Sequence, residues 1–372
     1  MLTPQENTLF TQVDRGTPGG ELLRRYWWPI DYAEYVAKKA RKVRLLGEDF
    51  VVFRDAQGAV GMLDLQCPHR RASLEYGRVE SDGLRCAYHG WLFDVAGRCI
   101  DQPQEPAEST FKDKVCQRAY AVREAGGLVY AYIGPDPVPE FPRLDILESR
   151  PGTRYVRGNR KYANWFQFAE NLMDAPHIPV LHAGGYPEIA MKRAEMEYEP
   201  TRHGVRTTMR FAGIEESFIQ WYFFPASIWV TTARVTDSIG PSHNLFYHTP
   251  MDNENTHTFN MRFVPSADGD EKIVTEGLSD LGPGVYTTVD DGWWGIESFS
   301  EDRIIQESQG VVFDRTREHL GASDRGIVIL RGMMRDAITA VQEGRDPLNV
   351  LREPGMEPIR VDASMPQLGA LV

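Results

Sequence analysis

The stretches of sequence that decide the fold are Cys67-Pro68-His69-Arg70-Arg71 and Cys86-Ala87-Tyr88-His89-Gly90-Trp91-Leu92-Phe93, both in the first third of a 372-residue chain. Each stretch pairs a cysteine with a histidine, and sixteen residues separate the two pairs. Thiolate and imidazole are ligands that proteins use for zinc ions and for iron–sulfur clusters. The spacing therefore predicts a metal site held by two loops, and by itself it leaves zinc and iron–sulfur open.

The residues around these loops have the pattern of a small all-β domain. Short aliphatic and aromatic runs occur at 43–47, 50–54, 59–63, 91–94 and 128–133, with a turn sequence at 55–58. Residues 134–142 contain four prolines, a composition that excludes helix and central strand and is typical of a stiff linker. We predict an all-β domain over 38–140, preceded by a helical arm over 1–37 with a helix running from Thr3 to about residue 28.

The second half of the chain predicts a larger domain over 150–345 that contains both helices and strands. Helices are expected at 164–174, 300–320 and 324–343, and strands at 205–212, 217–235, 244–250 and 257–264. The strands alternate imperfectly between apolar and polar residues, as in an antiparallel sheet with one buried face. Residues 346–372 contain four prolines and are expected to form an extended arm. The fold class is therefore α+β.

A second candidate metal site lies in the stretch from Glu170 to His182, which places His177, His182 and several acidic residues close together. On a regular helix, histidines five residues apart differ by roughly 140° in direction and do not converge. Pro176 and Pro179 must break or kink the helix, and an irregular segment lets the two imidazoles meet at one point. Two histidines and one carboxylate on one face are the ligand set of non-haem Fe(II) enzymes that activate O2.

The third ligand of such a site is expected far along the chain. The predicted helix at 300–320 offers Glu301, Asp302 and Glu307, and composition alone does not choose among them. A simpler interpretation, that the two histidines are ordinary loop residues, also stays open on the residues alone. Cys99 and Cys116 follow no ligand pattern and are expected to be small buried hydrophobic residues.

The two cysteine–histidine loops resemble those of Rieske [2Fe–2S] proteins. The pattern Glu170-Asn171-x2-Asp174-x2-His177-x4-His182, about 90 residues later, resembles the iron-binding motif of Rieske non-haem iron aromatic oxygenases. Most of the chain is similar to the phthalate 4,5-dioxygenase branch of that family, which includes aryl O-demethylases and anilide N-dealkylases. The stretches that carry this similarity are 2–5, 20–27, 306–308, 314–315 and 318–321.

The resemblance implies a role for each motif residue. Cys67 and Cys86 would hold one iron of the [2Fe–2S] cluster, and His69 and His89 the other. His177, His182 and Asp302 would bind a mononuclear Fe(II), with Asn171 close to it. Asp174 would bridge to a Rieske histidine, His89, of a neighbouring subunit. The resemblance also implies a helix-grip-like catalytic domain and assembly as a homotrimer or as stacked trimers.

The expected activity is that of the terminal oxygenase (alpha subunit) of a multicomponent system with O2 as co-substrate. No Gly-x-Gly-x-x-Gly follows a strand, so electrons are expected from a separate NAD(P)H-dependent reductase, with or without a ferredoxin. The favoured reaction on a small aromatic substrate is monooxygenation that leads to O- or N-dealkylation. The alternatives are cis-dihydroxylation of an aromatic acid such as a phthalate-like compound, a Rieske electron carrier, and a zinc-stabilised interaction module.

Composition excludes several other classes of protein. The formal net charge of −12 argues against non-specific nucleic-acid binding, which needs a basic surface. No apolar run reaches the length of a membrane span, and the N-terminus lacks the pattern of a signal peptide. We therefore expect a cytoplasmic protein without a membrane anchor. Aromatic residues of the sheet, and Arg210 or Arg234, are candidates for the substrate pocket; the aromatic candidates are Phe218, Trp221, Phe223, Phe224, Trp229, Phe246 and Trp294.

Overall fold

The computed structural model describes residues 1–148, 150–215, 217–232, 242–266, 269–284, 301–355 and 358–359. The chain begins with two short helices, α1 (Pro4–Thr11) and α2 (Pro18–Leu23). Thr3 and Glu6 form a capping box at the start of α1. The predicted continuous helix over 3–28 is wrong, because residues 12–17 form an irregular connection and Thr17 caps a new helix.

The first domain is built on a six-stranded antiparallel sheet with strand order β1-β10-β9-β4-β3-β2. Its strands are β1 (Trp28–Tyr32), β2 (Arg41–Leu45), β3 (Glu48–Arg54), β4 (Val60–Asp64), β9 (Ala119–Ala125) and β10 (Leu128–Tyr132), and the short helix α3 (Ala33–Val36) follows β1. Trp28–Tyr32 was predicted to belong to the helical arm, but all five residues are buried and pair with β10. Pro29 is tolerated there because β1 is an edge strand.

A small four-stranded sheet is inserted between β4 and β9, with order β5-β6-β7-β8. Its strands are β5 (Arg78–Val79), β6 (Leu84–Arg85), β7 (Leu92–Phe93) and β8 (Cys99–Asp101). The first cysteine–histidine loop precedes this sheet, and the second joins β6 to β7. Both predicted ligand loops therefore lie at one end of the first domain.

The second domain contains an eight-stranded sheet with order β12-β13-β14-β15-β16-β17-β11-β18. Its strands are β11 (Gly152–Lys161), β12 (Ala194–Pro200), β13 (Gly204–Phe211), β14 (Phe218–Phe223), β15 (Ser227–Thr232), β16 (Ser242–Pro250), β17 (Thr256–Pro265) and β18 (Glu271–Ser279). All neighbours are antiparallel except β11 and β18, which are parallel. The run at 217–235, predicted as one strand, contains a hairpin, because a turn after Phe223 separates β14 from β15.

The described part of the second domain also contains the helices α4 (Trp165–Asn171), α5 (Ile178–Leu181), α6 (Glu301–Ser308) and α7 (Arg325–Gln342). The helix predicted at 300–320 is wrong beyond Ser308, since Gly310 has a φ of +98° and the chain then turns irregularly towards α7. Residue 300 and most of the predicted C-terminal arm lie outside the described residues. Within that arm, Ile359 pairs with Leu144, and the Leu351 carbonyl accepts a hydrogen bond from the Glu140 amide.

The two domains share a hydrophobic core. One cluster joins Phe10 and Leu22 of the N-terminal helices, Val52 of the six-stranded sheet, Trp165 of α4 and Leu330 of α7. A second cluster packs β10 against one face of β16 and β17. The N-terminal helices are therefore part of the molecule's core. Helix α4 covers the opposite face of the eight-stranded sheet. No helix in the described ranges combines the length and the hydropathy that crossing a bilayer requires.

Candidate metal centres

The two cysteine–histidine loops have the same backbone closure. The Cys67 amide donates to the Ala72 carbonyl and the Arg71 amide to the Cys67 carbonyl, and the corresponding bonds in the second loop join Cys86 to Trp91 and Gly90 to Cys86. The fourth residue after each cysteine has a positive φ, +61° at Arg71 and +77° at Gly90. A glycine adopts this backbone at no steric cost, whereas the arginine does so at some cost. The matched turns present the two cysteines and two histidines as one set.

The four side chains are arranged as a cluster with a buried and an exposed side. Cys67 and Cys86 are buried, at 1% and 3% exposure, and their thiols interact with each other. The His69 and His89 rings lie 4.4 Å apart, nearer to solvent. The Trp91 ring stacks on His69 at 4.4 Å, a contact that the sequence analysis missed. Two buried thiols opposite two outward imidazoles fit a [2Fe–2S] cluster in which one iron has two sulfur ligands and the other two nitrogen ligands.

Because the Cys67 thiol is buried, loss of its proton is expected to accompany metal binding. Burial, reinforced by Cys86, raises the pKa of the Cys67 thiol to about 12. A thiol in this position keeps its proton at neutral pH unless a cation replaces it, and metal binding supplies that cation. Cys99 is buried and Cys116 is exposed, so the expectation that both are buried is wrong for Cys116.

The second site forms where the chain breaks after α4. A 3-10 turn at Ala175–His177 contains Pro176, and α5 begins directly after it with Pro179 in its first turn. The His177 and His182 rings are 5.1 Å apart and inclined by 71°. The break predicted at the prolines is therefore present, and it lets both imidazoles face one point.

Asp302 of α6 completes this site. Its Oδ1 atom lies 3.5 Å from His177 Nε2 and 3.2 Å from His182 Nε2. One ligand atom from each of the three residues lies within 4.8 Å of the other two. Burial opposes ionisation of Asp302, but the hydrogen bond from His182 and the charges of both histidines hold the pKa of this carboxyl well below its usual range. The set fits a mononuclear Fe(II) bound by two histidines and one carboxylate.

Each histidine is oriented through its second ring nitrogen. His182 Nδ1 lies 2.7 Å from Glu301 Oε2, and His177 Nδ1 contacts the Asp174 carbonyl. These contacts leave Nε2 of both rings for the metal, as second contacts of metal-bound histidines commonly do. Burial lowers the pKa of His182, but Asp302 and Glu301 outweigh it and raise that pKa to about 9 when no metal is present. Glu301 was one of three candidate ligands, and the sequence analysis did not foresee its contact with His182.

The remaining predicted residues surround the triad. Asn171 Nδ2 donates to Asp302 Oδ1 at 3.3 Å. The Asp174 carboxylate is half-buried, its pKa is raised by burial and by neighbouring acids, and it accepts no hydrogen bond from any described residue. Glu307 accepts hydrogen bonds from the Tyr162 amide and from Arg303, so it belongs to a different contact set.

Among the predicted pocket residues, Phe218 packs against the apolar cluster that contains Ala175 and Ile178, on either side of the His177 segment. Phe223 and Trp229 are buried in the core between the domains, and Arg210 is exposed and paired with Glu197. Phe246 lies on the opposite face of the sheet, the face covered by α4. Arg234 and Trp294 lie outside the described residues.

The chain is similar to known proteins over most of its length. Residues 26–121 match the Rieske [2Fe-2S] domain family. The chain is 34% identical to the 5,5'-dehydrodivanillate O-demethylase oxygenase subunit of Sphingobium sp., across 96% of this chain and 85% of that protein. It is 32% identical to the phthalate 4,5-dioxygenase oxygenase subunit of Pseudomonas putida, across 94% and 89%. The solved structure of Pseudomonas putida CBB5 NdmA with caffeine has the same fold, with a TM-score of 0.67, 20% identity and coverage of 92% and 99%.

The chain belongs to the Rieske non-haem iron oxygenase family. It is an oxygenase subunit of the phthalate 4,5-dioxygenase-like branch, an oxidoreductase that uses a [2Fe–2S] cluster, a mononuclear iron and O2. Oxygenase subunits of this kind receive electrons from a separate reductase or ferredoxin component.

Proposed function

We propose that this chain is the terminal oxygenase that removes an O- or N-linked alkyl group from a small aromatic substrate by monooxygenation. The observation that carries the proposal is the convergence of His177, His182 and Asp302 within 4.8 Å, in a chain 34% identical to an O-demethylase oxygenase subunit. A Rieske electron carrier needs no such second set of ligands. The triad therefore favours an oxygenase over the carrier.

The chemistry that the metals supply when bound is reductive activation of O2. For an aryl methyl ether, one C–H bond of the methyl group becomes C–OH, and the resulting hemiacetal loses formaldehyde to leave a phenol. The second oxygen atom of O2 leaves as water; NAD(P)H supplies the two electrons through the separate reductase, and the solvent supplies the two protons. The bond that breaks joins the ether oxygen to the alkyl carbon, so the phenol keeps the oxygen atom of the ether.

Several residues orient the metal ligands and connect the two metal sites. Asn171 and Glu301 fix the positions of Asp302 and His182 through their hydrogen bonds. We propose that the Asp174 carboxylate accepts a hydrogen bond from His89 of a neighbouring subunit while the Asp174 carbonyl contacts His177. The half-buried carboxylate, with no hydrogen-bond donor among the described residues, supports this role. The position of His89 supports this role as well, because its imidazole is only half-buried in its own chain.

A homotrimer or a stack of trimers follows from this proposal, because a residue of one chain must meet a histidine of the next. We also propose that the protein acts in the cytoplasm. Its four cysteines, all free of disulfides, support a reducing compartment.

The reaction is tested by turnover in 18O2 with a surrogate reductase and a panel of methoxylated aromatic compounds. Dealkylation predicts formaldehyde in a 1:1 ratio to phenol, and no label in the phenolic oxygen. Incorporation of two labelled atoms into a dihydrodiol would contradict dealkylation. A protein loaded with both metals could also consume NADH and form no oxygenated product. That result would contradict an oxygenase activity on methoxylated aromatic compounds.

The second candidate reaction is cis-dihydroxylation of an aromatic acid. The 32% identity to a phthalate 4,5-dioxygenase oxygenase subunit over 94% of the chain favours it. The same labelling experiment with phthalate decides between the two, since only dihydroxylation transfers both atoms of one O2 molecule to the ring.

A further inference from the structure

The face of the eight-stranded sheet that α4 covers carries a group of polar side chains. The strand register aligns Asn159 of β11 with Thr258 of β17 and with His248 of β16, and it aligns Lys161 with Thr256 in the next row. Because side chains alternate across a strand, all of these lie on one face. They are on the opposite face from Val156 and Phe259, which pack in the core between the domains.

Lys161 is the unusual member of this group. Its side chain is 6% exposed, and no hydrogen bond or ion pair within 4 Å joins its ammonium group to any described residue. The Nζ atom lies 4.2 Å from the centre of the Phe168 ring on α4. A buried ammonium group without an acceptor is costly, and such groups normally have a partner. The acceptor that would normally pair with the Lys161 ammonium group is therefore absent from the described residues.

The nearest acids have other partners. Asp302 is engaged by His177 and His182, and Glu307 accepts from the Tyr162 amide and from Arg303. Both acids still act on Lys161 through space: burial lowers the pKa of its ammonium group to about 8, and the two carboxylates counteract part of that effect. Lys161 directly precedes Tyr162, whose amide donates to Glu307, so it lies beside α6, the helix that carries Asp302. Neither acid pairs with the Lys161 ammonium group directly.

The surroundings of Lys161 supply further unused hydrogen-bonding groups. His248 is buried and bonded to Thr258 through Nδ1 at 2.9 Å, and burial together with Lys161 lowers the pKa of this imidazole, which stays neutral. Its ring lies 5.6 Å from that of Phe168. Asn260 Nδ2 is buried without a hydrogen-bond partner among the described residues. The Lys161 ammonium group and Asn260 Nδ2 therefore share this face of the sheet, and neither has a hydrogen-bond partner among the described residues.

We propose that Lys161 binds the carboxylate of the substrate, and that the substrate is accordingly an aromatic acid. This inference rests on the proposed function and names the substrate class for that site. A carboxylate is favoured over a phenol, because a carboxylic acid is ionised at neutral pH whereas a phenol with a pKa of about 10 is not. Arg210, the earlier candidate for this task, is an exposed residue paired with Glu197 on β12.

Equilibrium binding to anaerobic, metal-loaded protein tests the proposal without turnover. Calorimetry compares benzoate, 4-methoxybenzoate and phthalate with the corresponding uncharged amides. We expect at least one acid to bind at least tenfold more tightly than its amide. Lys161→Met, which keeps length and removes charge, should abolish that preference with unchanged iron content and cluster spectrum. Arg210→Met is the matched control and should retain the preference. Lys161→Gln serves in the same way if the methionine variant does not fold.

Three outcomes would overturn the proposal: no preference for any acid in the unsubstituted protein, a preference that survives in the Lys161 variants, or variants that lose iron from the triad. The last would assign to Lys161 a role in balancing the charge of Asp302. Failure of the proposed function is distinct, because it would appear as missing oxygenated product in a protein that still prefers acids.

Discussion

Asp174 provides the sharpest test at the scale of single residues. Asp174→Asn preserves size but removes the negative charge that is proposed to hold a neighbouring subunit's histidine. We expect full occupancy of both metal sites and at least a hundredfold loss of substrate-coupled turnover. Metal analysis and NADH-coupled product formation check this. Asp270→Asn, at an exposed carboxylate, is the control and should turn over normally. Undiminished turnover in Asp174→Asn would rule out the bridge.

Glu301 is predicted to control the affinity of the iron site through His182. Glu301→Ala removes the carboxylate 2.7 Å from His182 Nδ1 and frees the imidazole to rotate or change tautomer. Loss of such an outer contact typically weakens metal binding by about 10–100-fold. Equilibrium dialysis against Fe(II) measures the effect. Glu301→Gln retains an acceptor oxygen and should show a smaller loss. Equal Fe(II) affinity in all three proteins would mean that Glu301 does not orient His182.

Single residues also mark the limit of prediction from sequence. The Cys67, His69, Cys86 and His89 set was recognisable because its spacing and flanking residues are local. Among Glu301, Asp302 and Glu307, only family resemblance selected Asp302, since the choice depends on how α6 is rotated against α4. Lys161 carried no sequence signal at all. A lysine at a strand end is normally solvated, and only tertiary packing shows that this one is buried.

The element that positions the mononuclear site is α4, which is held by a buried ion network. Glu170 near its end accepts hydrogen bonds from Arg315 Nε at 2.8 Å and from Arg331 Nε at 2.7 Å. Arg331 of α7 also pairs with Glu318. These contacts join α4, α7 and the segment between α6 and α7. The network fixes where the chain leaves α4 and therefore where His177 begins.

Removing one cation from this network should destabilise the protein strongly. Arg331→Met leaves two buried carboxylates with fewer partners, and breaking a buried pair in this way costs about 3–5 kcal/mol. Urea unfolding of the metal-loaded protein measures the free energy. Arg345→Met is the matched control, because Arg345 and Glu343 are mostly exposed and such a pair contributes about 0–1 kcal/mol. A loss in Arg331→Met no larger than in the control would refute the structural role of the network.

At the scale of elements, the sequence predicted which helices and strands exist better than it predicted where they begin and end. Pro176 and Pro179 correctly marked the break between the two iron-binding histidines, because proline acts on the local backbone. The helix at 300–320 was predicted too long, since the chain after Ser308 is directed by contacts of Gln167 and Glu170 rather than by local propensity. Trp28–Tyr32 was missed as a strand because its partner, β10, lies about 100 residues away.

The arrangement of the whole molecule predicts an oligomer. The Rieske histidines are at an exposed end of the first domain, and the Asp174 carboxylate lacks a donor among the described residues of its own chain. We expect sedimentation to give three times the mass of one chain, or a multiple of three for stacked trimers. A stable monomer that retains full coupled turnover would contradict an electron path between subunits.

The central claim is that one chain holds a [2Fe–2S] cluster and a separate mononuclear iron. The most direct measurement is iron and acid-labile sulfide per chain, on protein purified without oxygen. We expect about three irons and two sulfides per chain. Two irons and two sulfides, unchanged after Fe(II) is added back, would contradict it, because the triad of His177, His182 and Asp302 would then hold no iron.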